Sequence, residues 1–138
     1  YDRRVRKPFY IAGLVVKSFS FNCRQGFENE FDKIDTISHH IVVFDEGKPI
    51  GTCRFFKEND HYTIGRVAVL KAYRNQHIGN LLLISAEKEI KKLNGDLIVV
   101  HAQVRVSPFY EKQGYIQFGQ IDDDEGVPHM WMKKRIQH

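Results

Sequence analysis

Between Tyr62 and His101 the chain reads as strand, loop, helix and strand, and that order leaves few folds open. Tyr62 to Leu70 is rich in β-branched and aromatic residues and suits a strand. From Ile78, the apolar positions Ile78, Leu81, Leu82, Ala86, Ile90 and Leu93 recur at helical spacing. Glu87 and Lys91 are expected to pair on the wet side of that helix, and Asn94-Gly95 to stop it. Leu97 to Val100 is a short continuous apolar run ending at His101, as expected of a strand buried on both faces. A helix between two strands is long enough for a right-handed crossover, which makes the strands parallel. The helix then begins at the carboxyl ends of both strands, where α/β sheets hold their ligands.

The remaining chain adds antiparallel structure. Ile41 to Asp45, Pro49 to Lys57 and Tyr62 to Leu70 are separated by short turn-like stretches, the pattern of a meander. Phe9, Leu14, Val15, Ser18 and Phe19 follow Pro8 at roughly helical spacing, so Phe9 to Phe21 is expected to be a helix. Gly26 to Asp32 lacks periodicity and reads as a loop, whose neighbouring acids Glu28, Glu30, Asp32 and Asp35 could face a cationic substrate. Ser107 and Pro108 open a short helix that Gly114 closes. Tyr115 to Gln120 and His129 to Ile136 pair across an acidic turn, Asp122 to Gly126. The 138 residues make one domain, 1–138: an α/β (α+β) unit with a mixed, mostly antiparallel sheet of about six strands flanked by helices.

No run of about 18 apolar residues occurs, so neither a membrane span nor a membrane partner is expected, and the cytoplasm is the expected setting. Cys23 and Cys53 are too few for a disulfide scaffold and lack metal-ligand spacing, so reduced thiols and no metal are expected. The net charge of +4 has its positive excess near Arg3 to Lys7 and Lys133 to Arg135. An anionic ligand accounts for it as well as nucleic acid does. Walker, G-x-S-x-G and H-E-x-x-H motifs are absent, which removes the commonest nucleotide-phosphatase, hydrolase and zinc-peptidase readings.

Val67-Ala68-Val69 leads through Tyr73-Arg74-Asn75-Gln76-His77-Ile78-Gly79-Asn80 straight into the amphipathic helix. Unpaired backbone N–H groups and the macrodipole at such a helix start favour a phosphate, and Gly79 lets the backbone come close to it. A second motif, Phe109-Tyr110-Glu111-Lys112-Gln113-Gly114-Tyr115, follows at a fixed remove. With these two motifs in this order the chain resembles the GNAT superfamily of N-acetyltransferases, whose coenzyme loop reads Arg/Gln-x-x-Gly-x-Gly/Ala. The match is Arg74 to Gly79, with His77 where the first loop glycine is usual. A side chain there costs about 1 kcal/mol if the position is left-handed. More narrowly, Arg24 to Phe27, Ile64 to Val69, His101 to Gln103 and Pro128 to Met130 are similar to the bacterial ElaA/YjcF-like branch.

The resemblance implies a sheet splayed between two central parallel strands, acetyl-CoA as cosubstrate, and an amine that attacks the thioester directly. It implies that Val67, Ala68 and Val69 offer backbone partners to pantetheine, and that Arg74, Asn75, Gln76, His77, Ile78, Gly79 and Asn80 cradle the pyrophosphate. Tyr110 would contact the coenzyme and protonate the departing thiolate. A phenol near pKa 10 giving its proton to a thiolate near 8.5 does so uphill by roughly 2 kcal/mol. An amine acceptor of pKa about 10.4 needs a base, for which Glu28, Glu30, His40, His101 and His129 are candidates. His101, at the carboxyl end of its strand, is the first choice. Neither cysteine stands beside an activating group, so an acyl-cysteine is not expected. The acceptor's identity stays open. So do two rivals, a non-catalytic acyl-CoA-binding module and a nucleic-acid-binding domain, although nucleic acid is not the expected partner. An exposed final strand offers a route to a homodimer.

Overall fold

The structure is a computed structural model and describes residues 2–5, 9–11, 13–22 and 38–136. Its strands are β1 (Asp2–Val5), β2 (Phe9–Ile11), β3 (Leu14–Asn22), β4 (His39–Asp45), β5 (Lys48–Glu58), β6 (His61–Val69), β7 (Leu97–Gln103), β8 (Ile116–Asp124) and β9 (Val127–Arg135). They form one sheet in the order β1-β3-β4-β5-β6-β7-β9-β8, with β2 also paired to β3. Among the described residues two α-helices accompany it, α1 (Ile78–Lys92) and α2 (Ser107–Lys112). Every pairing is antiparallel except that of β6 with β7, the two strands that α1 connects. The mixed sheet with one central parallel pair is therefore as expected.

α1 buries Ile78, Leu82, Leu83, Ala86 and Ile90 against the sheet, where they meet Ile41, Val43, Phe55 and Ile64. β7 carries Ile98, Val99 and Val100 buried in succession, so both of its faces are covered. Gly95 ends the helix by close approach. A Cβ there would lie 2.5 Å from Ile90 Cγ2 and 2.7 Å from the Tyr62 ring, while the left-handed turn itself falls to Asn94 at φ 66°. At the other end, Tyr73 donates a 2.8 Å hydrogen bond to Asp45, fastening the loop before α1 to β4.

Several expectations are corrected. Phe9 to Phe21 is not a helix: β2 and β3 occupy it, turning at Gly13 with φ 81°. Val16 and Ser18 are buried and Lys17 between them is not, a period of two, and the paired β-branched Val15 and Val16 favour extended backbone. Among the described residues the sheet accordingly has nine strands rather than about six. Glu87 does not pair with Lys91. It accepts hydrogen bonds from Tyr115 at 2.8 Å and Lys134 at 3.1 Å, tying α1 to β9 and to the end of α2. The acidic turn is shorter than expected, because Asp122, Asp123 and Asp124 extend β8 and only Glu125 and Gly126, at φ 53° and 80°, make the hairpin. The segment from Cys23 to Asp35, with its acids and the Arg24 to Phe27 motif, lies outside the described residues.

Candidate active site

β6 and β7 pair only where Tyr62, Thr63 and Ile64 face Ile98, Val99 and Val100. Beyond that point β6 runs on to Val69 and β7 to Gln103 without pairing, so the sheet forks at its centre. A bulge sits at the fork: Arg54 faces Gly65 and Thr52 faces Ala68, which leaves one extra residue on β6. Arg66 absorbs it at φ 50°. Past the bulge the direction of the peptide groups can be fixed. Leu70 donates its N–H to Ile50 O at 2.9 Å, toward β5. Alternation along a strand therefore turns the peptide groups of Val67 and Val69 toward the fork and that of Ala68 toward β5.

Two cavities meet this edge. One, of about 500 Å³, is lined by Val69, Arg74, Asn75, the first residues of α1, Phe109 and Lys112. The first intrahelical bond at this end of α1 is Leu81 N–H to His77 O at 3.1 Å, so the N–H groups of Ile78, Gly79 and Asn80 precede the ladder at the cavity wall. His77 stands before the helix at φ 63°, the left-handed conformation a glycine would adopt freely, and Asn75 does the same at φ 67°. At Gly79 the backbone comes close to a side chain instead: a Cβ would lie 3.3 Å from the Phe109 ring, which would have to give by a few tenths of an ångström. Arg74 is exposed, its Nε 3.5 Å from Val69 O. Gln76 bonds back to Ala72 O at 3.4 Å and does not line the cavity. Tyr73, Phe109 and Lys112 line it without having been singled out for that role in the sequence, although Phe109 and Lys112 belong to the second motif.

The second cavity, of about 290 Å³, lies in the fork itself between residues 64–67 of β6 and His101 to Gln103 of β7, with Tyr110, Arg105 and His129 around it. Tyr110 is buried against Phe109 and Tyr115, and its hydroxyl has no hydrogen-bond partner among the described residues. Burial pushes its pKa up to about 12, with a smaller contribution from Cys53. The Cys53 thiol is raised to about 12 by burial alone, so it is a core hydrophobe and not a nucleophile.

His101 stacks on Trp131 at 4.3 Å, and its Nε2 is 3.0 Å from Asp122 of β8. His129 is 4.8 Å from His101 between ring centroids, and its Nδ1 is 2.8 Å from Val127 O. The fork therefore brings Tyr110, His101 and His129 around one cavity. His40 is elsewhere: it sits on β4, with β5 between it and β6. Glu28 and Glu30 lie outside the described residues. Asp122 escaped the sequence reading because it stood in what reads as a turn.

A forked parallel pair above a phosphate-sized helix head is the geometry that the resemblance implied, and comparison with known proteins decides it. The acetyltransferase (GNAT) domain matches residues 12–136. The chain belongs to the GNAT acetyltransferase family. Among GNAT relatives it is 32% identical over 108 residues to an uncharacterized N-acetyltransferase of Bacillus subtilis, YjcF, covering 78% of this chain and 77% of that one. It is 24% identical over 109 residues to ElaA of Escherichia coli, covering 76% and 71%. The crystal structure of ElaA superposes with a TM-score of 0.66 over 75% of this chain and 76% of that one, at 23% identity. A GNAT acetyltransferase from Elizabethkingia anophelis with acetyl-CoA bound superposes with a TM-score of 0.72 over 91% and 100%, at 12% identity, a likeness of fold alone. Among the described residues, no helix is long and apolar enough to cross a membrane.

Proposed function

We propose that this GNAT protein transfers an acetyl group from acetyl-CoA to a primary amine by direct attack, as a single domain. The fork carries the reading, because it presents an unpaired strand edge and Tyr110 in one cavity, next to a helix start whose first N–H groups lie at a cavity wall. The pyrophosphate lies over the N–H groups of Ile78, Gly79 and Asn80, with Arg74 and Lys112 supplying positive charge and Asn75, Gln76 and His77 shaping the loop. Pantetheine adds to the free edge of β6 through the peptide groups of Val67 and Val69, with Ala68 as the residue between them. That a protein of the same fold holds acetyl-CoA supports this placement.

The amine enters the fork as its ammonium ion and gives a proton to His101, whose ring Asp122 and Trp131 hold in place. The free amine forms a C–N bond with the thioester carbon; His101, having passed its first proton to solvent, takes the second from nitrogen as the tetrahedral species collapses and the C–S bond breaks. The departing sulfur takes its proton from Tyr110, which solvent then restores. The buried, reduced thiol of Cys53 suits a cytoplasmic setting; the final strand β9 is not the exposed edge expected, because β7 and β8 cover it on both sides, and the outermost strand β8, with Ile116 and Ile121 exposed, is the edge on which a homodimer would form. Calorimetric titration with acetyl-CoA tests the reading without needing the acceptor. We expect micromolar, one-to-one binding. Folded protein that binds no acetyl-CoA at millimolar concentration would overturn it.

A further inference from the structure

On the side of Gln103 and Arg105 the cavity in the fork is walled by hydrogen-bond donors. Gln103 accepts a 2.8 Å hydrogen bond from Arg105 Nε through its side-chain oxygen. That bond occupies one lone pair of the Gln103 amide oxygen and orients its NH2 to donate, and it leaves the terminal guanidinium nitrogens of Arg105 as a planar fork of donors. Arg66, displaced by the bulge, lines the same cavity, as do the rings of His101 and His129. No carboxylate is among the described residues that line it, and the nearby acid, Asp122, is turned onto His101. The acids of the segment 28–35 lie outside the described residues, whereas the cationic Arg105 lines the described cavity.

Resting on the acetyl-transfer reading, we infer that the acceptor is a small amine that also carries an anionic group, a carboxylate or a phosphate, a few bonds from its nitrogen. The planar Arg105 fork suits a carboxylate or phosphate oxygen pair, with the Gln103 NH2 as a further donor. A diamine would bring a second ammonium toward a guanidinium, where like charges repel. The volume of about 290 Å³ sits at the low end of ligand sites, room for a metabolite-sized amine beside the acetyl end of the coenzyme.

Arg105 is exposed on a short 3-10 turn, Val104–Val106, so its substitution leaves the core untouched. The test measures kcat/KM, at saturating acetyl-CoA, for butylamine, putrescine and γ-aminobutyrate, and for ethanolamine against phosphoethanolamine. The anionic member of each set should lead by about tenfold or more, and the set in which it leads tells carboxylate from phosphate. Arg105→Gln should raise KM for the preferred anionic amine by about 10- to 100-fold, drawing its ratio to the neutral amine toward one, with acetyl-CoA affinity unchanged. Preference for putrescine overturns the inference. So does an Arg105→Gln variant that loses acetyl-CoA affinity while keeping its acceptor ratio, which would put the guanidinium on the coenzyme. Acetyl-CoA binding with no amine of any charge acetylated overturns the transfer reading as well.

Discussion

Tyr110→Phe isolates one atom. The hydroxyl it removes has no partner among the described residues, so the substitution strands no buried donor or acceptor and keeps the ring that packs on Phe109 and Tyr115. Stability should change by less than about 1 kcal/mol. The chemistry should not survive so well. Against an ordinary thiolate near 8.5, a phenol at about 12 gives its proton uphill by roughly 5 kcal/mol, which by itself would argue against the role. The same burial acts on the sulfur, however. Cys53, a thiol in the same buried cluster, is itself driven to about 12. A coenzyme thiolate that loses solvent in the fork is raised in the same direction, which narrows the gap that a positioned acid has to cross. Loss of the hydroxyl should lower kcat by about 100- to 10,000-fold, roughly 3 to 5 kcal/mol of barrier, with acetyl-CoA affinity held within about threefold. The assay is thiol release under saturating coenzyme, alongside thermal melting. A variant that keeps a third of its kcat refutes the argument. An alkaline limb in the wild-type rate, if one appears well below pH 12, belongs to another group.

Other outcomes follow from the same geometry. Arg74→Ala should weaken acetyl-CoA binding by about 1 to 3 kcal/mol by calorimetry, and unchanged affinity would remove its side chain from the phosphate contacts. Gly95→Ala forces a methyl group to within 2.5 Å of Ile90 and should cost about 1 to 3 kcal/mol in urea denaturation, and a loss under about 0.5 would show that α1 can shift to admit it. Cys53 has a raised pKa in the fold, so above pH 9 the unfolded chain loses its thiol proton first, and stability falls as pH rises toward 12. At pH 11 that amounts to roughly 2 to 3 kcal/mol which Cys53→Ala should not lose, so the two unfolding curves should converge or cross between pH 9 and 11. Parallel curves would mean the thiol is not buried as described.

The parts of the fold that could be read in the sequence are those where one period or one turn dominates. The stripe from Ile78 to Ile90 and the apolar run Leu97 to Val100 have no competing interpretation at their lengths, and together they dictated the parallel pair. Phe9 to Phe21 had two. Apolar residues at Leu14, Val15 and Phe19 fit a helical face, yet the pairing of β3 with β1, β2 and β4 buries Val16 and Ser18 instead, and a buried serine carries no hydropathic signal. Tertiary pairing overrode a weak local preference. Glu87 was misread for a related reason. Helical spacing offered Lys91, but a carboxylate can also reach across the fold, and Tyr115, whose pKa burial drives upward, gains a hydrogen-bond acceptor from it.

The site divides along the same line. The loop was legible because a helix start is local: Arg74 to Asn80 had to meet the head of α1 whatever the rest of the chain did, and even the cost of His77 could be foreseen as conditional on a left-handed backbone, which φ 63° supplies. What local sequence cannot carry is the meeting of distant strands. Asp122 reaches His101 only because β8 and β7 both pair with β9, and because three consecutive aspartates extend a strand rather than end one. Their high charge made them look like a turn, but an outermost strand exposed on both faces tolerates acids that an interior strand would reject. The same topology sets Arg105, beyond the end of β7, into the fork beside residues of β6. On the proposed reading, then, the phosphate end of the coenzyme is met mainly by one contiguous stretch, Val69 to Asn80, joined by Phe109 and Lys112, whereas the acceptor side is assembled by the sheet. Sequence similarity can therefore preserve the first while the second, and with it the choice of amine, changes freely.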